Sequence, residues 1–336
     1  EFSKGLSLNI TYLNDDLSES SIKKSTSKSI TVSRSVMKTF SIFDTDELIE
    51  EQEDRIYDAL MNFYNAASGD KWINNTNWGS EKPFREWYGI TEDEVGRVVE
   101  IILPSNNLRG DLTSCLNPLF TLEELRWLDL SIGSLTGEIP NEINKFKNLE
   151  TLSLWGNQLS GKVPTQIGEL QKLSSLWLMD NQLIGEVSIL NSIPNLSSIA
   201  IERNKFTGNL PDMPLNVRRY TVSDNLFTGS IPENHIRAFE ENLRSEYGCS
   251  YEVHNNNLSG NVPICMTSHE NWHIHWFNIL PQNPGYGFAK VDIPAHSNIV
   301  KCYDDTYLNL GEEYKKNKYT LIFRADPDCP FSAPYI

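Results

Sequence analysis

The sequence predicts an α/β solenoid of about seven stacked coils, with an aromatic helical N-cap, a strand-rich C-terminal cap domain and an N-terminal β-arm. Three observations carry this expectation. The stretch "LETLSLWGNQLSGKVPTQIGELQK" at 149–172 is nearly rewritten on either side. Its period of ~24 residues lies in the range of stacked repeats. An Asn and a Gly recur at fixed offsets, reading Asn106, Gly133, Asn157, Asn181, Asn204, Asn225, Asn256 and Gly110, Gly137, Gly161, Gly185, Gly208, Gly229, Gly260. Both ends of the chain lose the period, so each needs its own explanation.

Residues 1–46 show alternation at period 2, in Leu6, Leu8, Ile10 and Tyr12 and again in Ile30, Val32, Val36, Phe40 and Ile42. Two half-buried strands are expected, joined by the polar loop "NDDLSESSIKKSTSK". Two strands cannot bury a core of their own, so this arm must lean on something else. Ile30, Val32, Val36, Phe40 and Ile42 are therefore candidate assembly residues.

Residues 47–97 read as a cap. Thr45 or Asp46 suits a helix N-cap before an acidic first turn, Ile56, Leu60, Phe63 and Tyr64 fall on one face, and Gly69 should end the helix. Trp72, Trp78, Trp87 and Tyr88 follow closely and are expected to plug the open end of the solenoid, since a terminal coil has an apolar face with no neighbour.

Residues 98–263 form the repeats, with first strands centred on Ile101/Leu103, Leu128/Leu130, Leu152/Leu154, Leu176/Leu178, Ile199/Ile201, Tyr220/Val222 and Tyr251/Val253. With Leu125, Leu149 and Leu173 as position 1 of their coils, positions 1, 4 and 6 point inward. The Asn at position 9 can bond backbone groups left unpaired at the bend. Gly at 13 permits a second tight bend, and Pro140 and Pro164 at 16 stop further pairing. Residues 264–336, with the strand-like "KYTLIFRADPDC", read as a C-terminal cap or small β-rich domain.

The pattern L-x-x-L-x-L-x-x-N-x-L-x-G-x-I-P resembles the plant-type leucine-rich repeat, and the likeness covers about half the chain. The segment "FYNAASGDKWINNTNWGSEKPFREWYGI" is similar to the N-terminal caps of such proteins in algae, protists and bacteria, and lacks the cysteine pair usual in plants. The resemblance implies recognition of a protein or polysaccharide through the concave face, without catalysis.

Positions 3, 5 and 7 alternate with the buried leucines and face that side. Trp127, Trp155 and Trp177 stand there on three successive coils, with Asp129, Met179 and Asp180 beside them, and these six are the candidate ligand-binding residues. Glu202, Arg203, Arg218, Arg219, Asp224, Glu252 and His254 continue the surface with mixed charge. Exposed tryptophan clusters commonly mark binding patches.

Charge narrows the partners. Lys+Arg 29 against Asp+Glu 45 gives −16, which argues against nucleic acid and anionic membrane. No apolar run approaches the ~18 residues of a membrane span. No signal-peptide pattern is present, and Glu1 in the first place suits a processed chain. Acceptor motifs for N-glycosylation occur at Asn9, Asn74, Asn195 and Asn257. Cys249, Cys265, Cys302 and Cys329 gather in the last third. Four cysteines allow three connectivities; Cys302–Cys329 and Cys249–Cys265, with Cys115 free, is the expected one. Together these favour an extracellular protein.

"HENWH" at 269–273 matches H-E-x-x-H, in which His269 and His273 would hold zinc and Glu270 act as base. The continuation "WHIHWF" suits a strand as well as a helix, and no third-ligand motif follows, although His275 or His296 could serve as a third ligand. The sequence therefore predicts no metal, no cofactor and no enzyme. Besides recognition, it leaves a second expectation: a self-assembling structural subunit of a fibre or surface layer, linked to further copies of itself through the arm.

Overall fold

The computed structural model describes residues 45–235 and 250–260, together with 7–13, 19–25, 238, 276–278, 282–283 and 287–288. The chain divides into two units, residues 1–58 and 59–336.

In the first unit, Ser7–Leu13 and Glu19–Ser25 form an antiparallel hairpin, with Ser7 opposite Ser25 and Ile10 opposite Ile22. The first strand agrees with the alternation in the sequence. Its partner falls in the segment expected to be a polar loop, where Ile22 is the one apolar residue of the strand. Ile30, Val32, Val36, Phe40 and Ile42 lie outside the described residues.

The helix Thr45–Ala66 buries Ile56, Leu60 and Phe63, as its spacing requires. It stops before Gly69: Ser68 takes the left-handed conformation at φ 58°, and Gly69 opens a short 3-10 turn. Beyond it, Phe63, Tyr64, Trp72, Trp78, Phe84 and Trp87 pack as one aromatic cluster, with Trp72 and Trp78 edge-to-face at 4.9 Å and Trp78 and Trp87 at 5.2 Å. Their indole N–H groups donate to the carbonyls of Ala67, Tyr88 and Lys82, so no polar atom of the three rings is stranded. Tyr88 stands at the rim.

The second unit is organised by a nine-stranded sheet. Ile90–Glu92 runs antiparallel to Val98–Ile102, and from there the strands are parallel: Trp127–Asp129, Thr151–Ser153, Ser175–Trp177, Ser198–Ala200, Arg219–Thr221, Ser250–Glu252 and Trp276–Asn278. The last strand lies within the stretch assigned to the C-terminal cap, so the parallel ladder runs one strand beyond the seven coils counted in the sequence. Its alternating "WHIHWF" is in keeping with that.

Leucines at positions 1, 4 and 6 make the core: Leu149, Leu152, Leu154, Leu173, Leu176 and Leu178 are wholly buried. A parallel sheet covered on one side by convex turns leaves the carbonyls at each bend without partners, and the Asn ladder supplies them. Asn181 Nδ2 donates to the carbonyls of Leu154, Leu178 and Met179, and its Oδ1 accepts from Leu159 N at 3.0 Å. Asn157, Asn204, Asn225 and Asn256 repeat this arrangement. Asn106, with no coil before it, instead holds both the N–H and the carbonyl of Asn74 in the preceding segment.

Coil 2 departs from the pattern. Gly133 has no amide to offer, so the backbone N–H of Leu108 lacks the acceptor its counterparts enjoy. A Cβ on Gly133 would lie 2.8 Å from Asn157 Oδ1 and 3.0 Å from Leu108 O, so the coils approach closely there. The convex side varies too. Pro140 and Pro164 cap short 3-10 turns, whereas the longer first coil forms the helix Leu112–Leu119, whose N-cap Asp111 accepts from Ser114 N at 2.9 Å.

Candidate functional site

In-register pairing turns sequence positions into columns that cross the sheet. Position 5 reads Ile102, Asp129, Ser153, Trp177, Ala200, Thr221 and Glu252. The backbone ladder carries position 7 onward in the same way, as Ser131, Trp155, Met179, Glu202, Ser223 and His254, through bonds such as Ile132 N to Trp155 O and Gly156 N to Met179 O. Neighbours within a column are ~4.8 Å apart, and residues two apart along a strand are ~6.6 Å apart.

The concave face divides in two. Coils 2 to 4 carry the three tryptophans. Trp127, Trp155 and Trp177 are each half-buried, among neighbours such as Thr151, Ser153 and Ser175 that are too small to cover them. Trp177 Nε1 donates to Ser198 Oγ at 2.9 Å, which orients that ring. Trp127 Nε1 is buried and has no hydrogen-bond partner among the described residues. Met179 is only 8% exposed and contributes more to the floor than to the surface.

Coils 5 to 7 are polar and mostly paired. Glu202 is buried and accepts from Arg219 Nη2 at 3.1 Å and from Thr221 Oγ1 at 2.6 Å. Asp224 accepts from Asn255 Nδ2 at 2.8 Å, and His254 Nε2 stands 3.7 Å from its other oxygen.

Position 8 has a different character from positions 3, 5 and 7. In every coil it is left-handed: Ser105, Ile132, Gly156, Asp180, Arg203, Asp224 and Asn255 have φ between 52° and 67°. Asp180, a candidate ligand residue in the sequence, sits here and is clasped by Arg203, whose Nε and Nη2 both reach the carboxylate, the latter at 2.7 Å. That hydrogen bonding to Asp180 pushes the Arg203 guanidinium pKa up. Asp180 therefore joins the ion-paired rim.

Sequence reasoning missed Ile132 and Ser131. Ile132 is 42% exposed and β-branched, a residue type that resists the left-handed region. Its side chain lies against Gly156, where a Cβ would meet Ile132 Cγ1 at 3.4 Å. The odd residue type at position 8 was a readable signal; Ser131 gave none, since serine is ordinary on this face.

The remaining candidates are scattered. Asn74 is tied to Asn106 through its backbone, and its Oδ1 accepts from the N–H and the hydroxyl of Thr76. Asn195 Nδ2 donates to Gln171 O, and Asn257 Oδ1 accepts from Asn283 Nδ2. The Asn9 side chain, the cysteines 249, 265, 302 and 329, and the motif His269–Glu270–His273 lie outside the described residues. Cys115 is buried as a free thiol, pushed up to about 12 by burial and by nearby Asp111. Among the described residues there is no cluster suited to a metal ion, and no helix long and apolar enough to cross a membrane.

The family model described as Leucine Rich Repeat matches residues 148–170, which is coil 3. Receptor-like protein 54 of Arabidopsis thaliana is 34% identical over 163 residues, 47% of this chain and 17% of that protein. The chain carries leucine-rich repeats of the plant type. Phytosulfokine receptor 1 of the same plant is 37% identical to these repeats over 90 residues, 26% of this chain and 8% of that receptor. The leucine-rich-repeat chain thus spans less than a fifth of the length of the curated relatives it matches. Its fold agrees with the structure of the Arabidopsis receptor kinase HAESA, solved in complex with the peptide hormone IDA and the co-receptor SERK1. The TM-score is 0.58 at 20% identity, over 70% of this chain and 42% of that one.

Proposed function

We propose that this protein is a non-catalytic recognition module that holds a protein or polysaccharide ligand against the concave face of coils 2 to 4, outside the cell or at its surface. The observation that carries the reading is the placing of Trp127, Trp155 and Trp177, half-buried, on one face of three successive coils. Core leucines already fill the interior, so the scaffold does not need these rings. Large aromatic side chains left partly wet on a continuous face are the usual anchors of binding energy. The likeness to proteins named as receptors supports the same direction.

The test is binding after truncation of a ring. Against ligands selected from a random-peptide display library and an oligosaccharide panel, Trp155→Ala and Trp177→Ala should each weaken binding by ~2 kcal/mol or more. Thermal stability should stay close to that of the parent chain. A fall in stability with binding unchanged would assign the tryptophans to the fold.

A second reading rests on the hairpin Ser7–Leu13/Glu19–Ser25. A two-stranded hairpin is marginal alone in water, and its outer edges can accept further strands. On this reading the N-terminal segment links copies of the chain head to tail. Removing residues 1–43 should then abolish polymers seen by sedimentation. Polymers that persist without the segment, or a full chain that stays monomeric at high concentration, would exclude it.

A further inference from the structure

Two acidic side chains are sunk into the concave face, and the protein treats them differently. Glu202 is 5% exposed and Asp129 is 8% exposed. Glu202 is served by a cation and a hydroxyl, from Arg219 and Thr221. Asp129 has the hydroxyl, Ser153 Oγ at 2.9 Å, and the N–H of Ser131 at 3.0 Å, but no cation pairs with it among the described residues. Both bonds end on Oδ1, and Oδ2 receives none among the described residues.

Beside this oxygen lies further unmet capacity. Ser131 is 1% exposed, and its Oγ has no partner among the described residues. It follows Asp129 by two residues on the same face, ~6.6 Å along the strand. Aromatic rings flank the pair. Trp127 precedes Asp129 by two residues on that face, Trp155 is next to Ser131 in the position-7 column, and Trp177 stands two strands from Asp129 in the position-5 column. A buried carboxylate is ordinarily paired, and π-faces favour a cation beside them.

We infer that Asp129, Ser131 and the surrounding tryptophans form a subsite for a guanidinium, so that an arginine side chain of a peptide ligand supplies at Asp129 the cation that Arg219 supplies at Glu202. The planar fork of arginine can donate to Asp129 Oδ2 while its face lies against an indole, and its second N–H reaches Ser131 Oγ, closed to solvent in the free protein, once the neighbouring rings yield. An ammonium is a compact point charge and cannot span both in one plane. The charge of the chain, −16, favours approach of such a ligand. This inference rests on the concave-face reading and narrows it to a basic peptide.

The experiment is a titration of the full chain, labelled at tryptophan, followed by NMR of the indole N–H groups. The probes are N-acetylarginine amide and the neutral, nearly isosteric N-acetylcitrulline amide. The arginine probe should give a saturable shift of the Trp127 signal, assigned with Trp127→Phe. The citrulline probe should bind at least about tenfold more weakly, and Asp129→Asn should erase that preference. Asparagine keeps an oxygen to accept from Ser131 N and Ser153 Oγ, so the variant retains its floor. If it fails to fold, the comparison of the two probes on the parent chain decides alone. Equal binding of both probes, a preference that survives Asp129→Asn, or no arginine shift up to about 50 mM would overturn the subsite. An oligosaccharide that shifts Trp155 and Trp177 where arginine shifts nothing would overturn it too, and would leave the concave-face reading standing.

Discussion

Coils 3 and 4 share the bend asparagine with coils 6 and 7 and differ from them in what else is buried in the packed interior. The middle coils use leucine for volume and one repeated asparagine for hydrogen bonds. In coils 6 and 7 the inward position 4 is tyrosine, and Tyr220 and Tyr251 stack at 5.4 Å with His235 against both rings. Tyr220 Oη donates to Pro211 O at 2.6 Å. His235 Nε2 faces the same carbonyl at 2.9 Å, so it must hold the proton, and Nδ1 accepts from Tyr251 Oη at 2.9 Å. One region relies on the asparagine alone; the other keeps it in Asn225 and Asn256 and adds a group that titrates.

The largest effect should come from breaking the regular half. Asn181→Ala strands the N–H of Leu159 and takes one of two donors from the carbonyls of Leu154, Leu178 and Met179, and should cost on the order of 3 kcal/mol in chemical denaturation. A variant that unfolds at the parent midpoint would remove the Asn ladder from the account of stability.

The Tyr–His region should betray itself through pH. Burial lowers the His235 pKa from 6.5 to about 4. The unfolded chain therefore takes up a proton at this residue before the folded chain does. The contribution of neutral His235 is fully present above about pH 6.5 and is lost as pH falls toward about 4. The whole loss should be about 3 kcal/mol, read as the slope of unfolding free energy against pH. His235→Phe should flatten that slope, whereas Asn181→Ala should leave it as it was.

The smallest effect tests an irregularity within the regular half. Ile132 is held left-handed at φ 54°, where the other coils place glycine or a residue with a polar side chain. Ile132→Asn should stabilise the fold by about 1 kcal/mol, seen as a raised melting temperature. A lowered melting temperature would mean that its contact with Gly156 outweighs the strain.

Much of this architecture could be read from spacing alone. Leu152, Leu154, Asn157 and Gly161 announce a coil because burial, bend and left-handed turn each admit few residue types. The tryptophans on positions 3, 5 and 7 were legible for the same reason. What escaped were relations between coils. That Arg203 clasps Asp180, or that Asp129 lacks what Glu202 has, depends on which side chains meet across a gap of 17 residues or more. The partner of the first hairpin strand escaped because Glu19–Ser25 carries one apolar residue, Ile22, and no alternation. Trp276–Asn278 was only half legible, because "WHIHWF" suits a helix as well as a strand.

The asparagine that reaches back to the preceding coil has a mechanical consequence. Each such side chain is a rivet between adjacent turns of a spring, and load passes from turn to turn through it. Pulled from its ends, the solenoid should give way in discrete steps of one coil each. The joint between coils 1 and 2, where Gly133 supplies no rivet, is a built-in fuse.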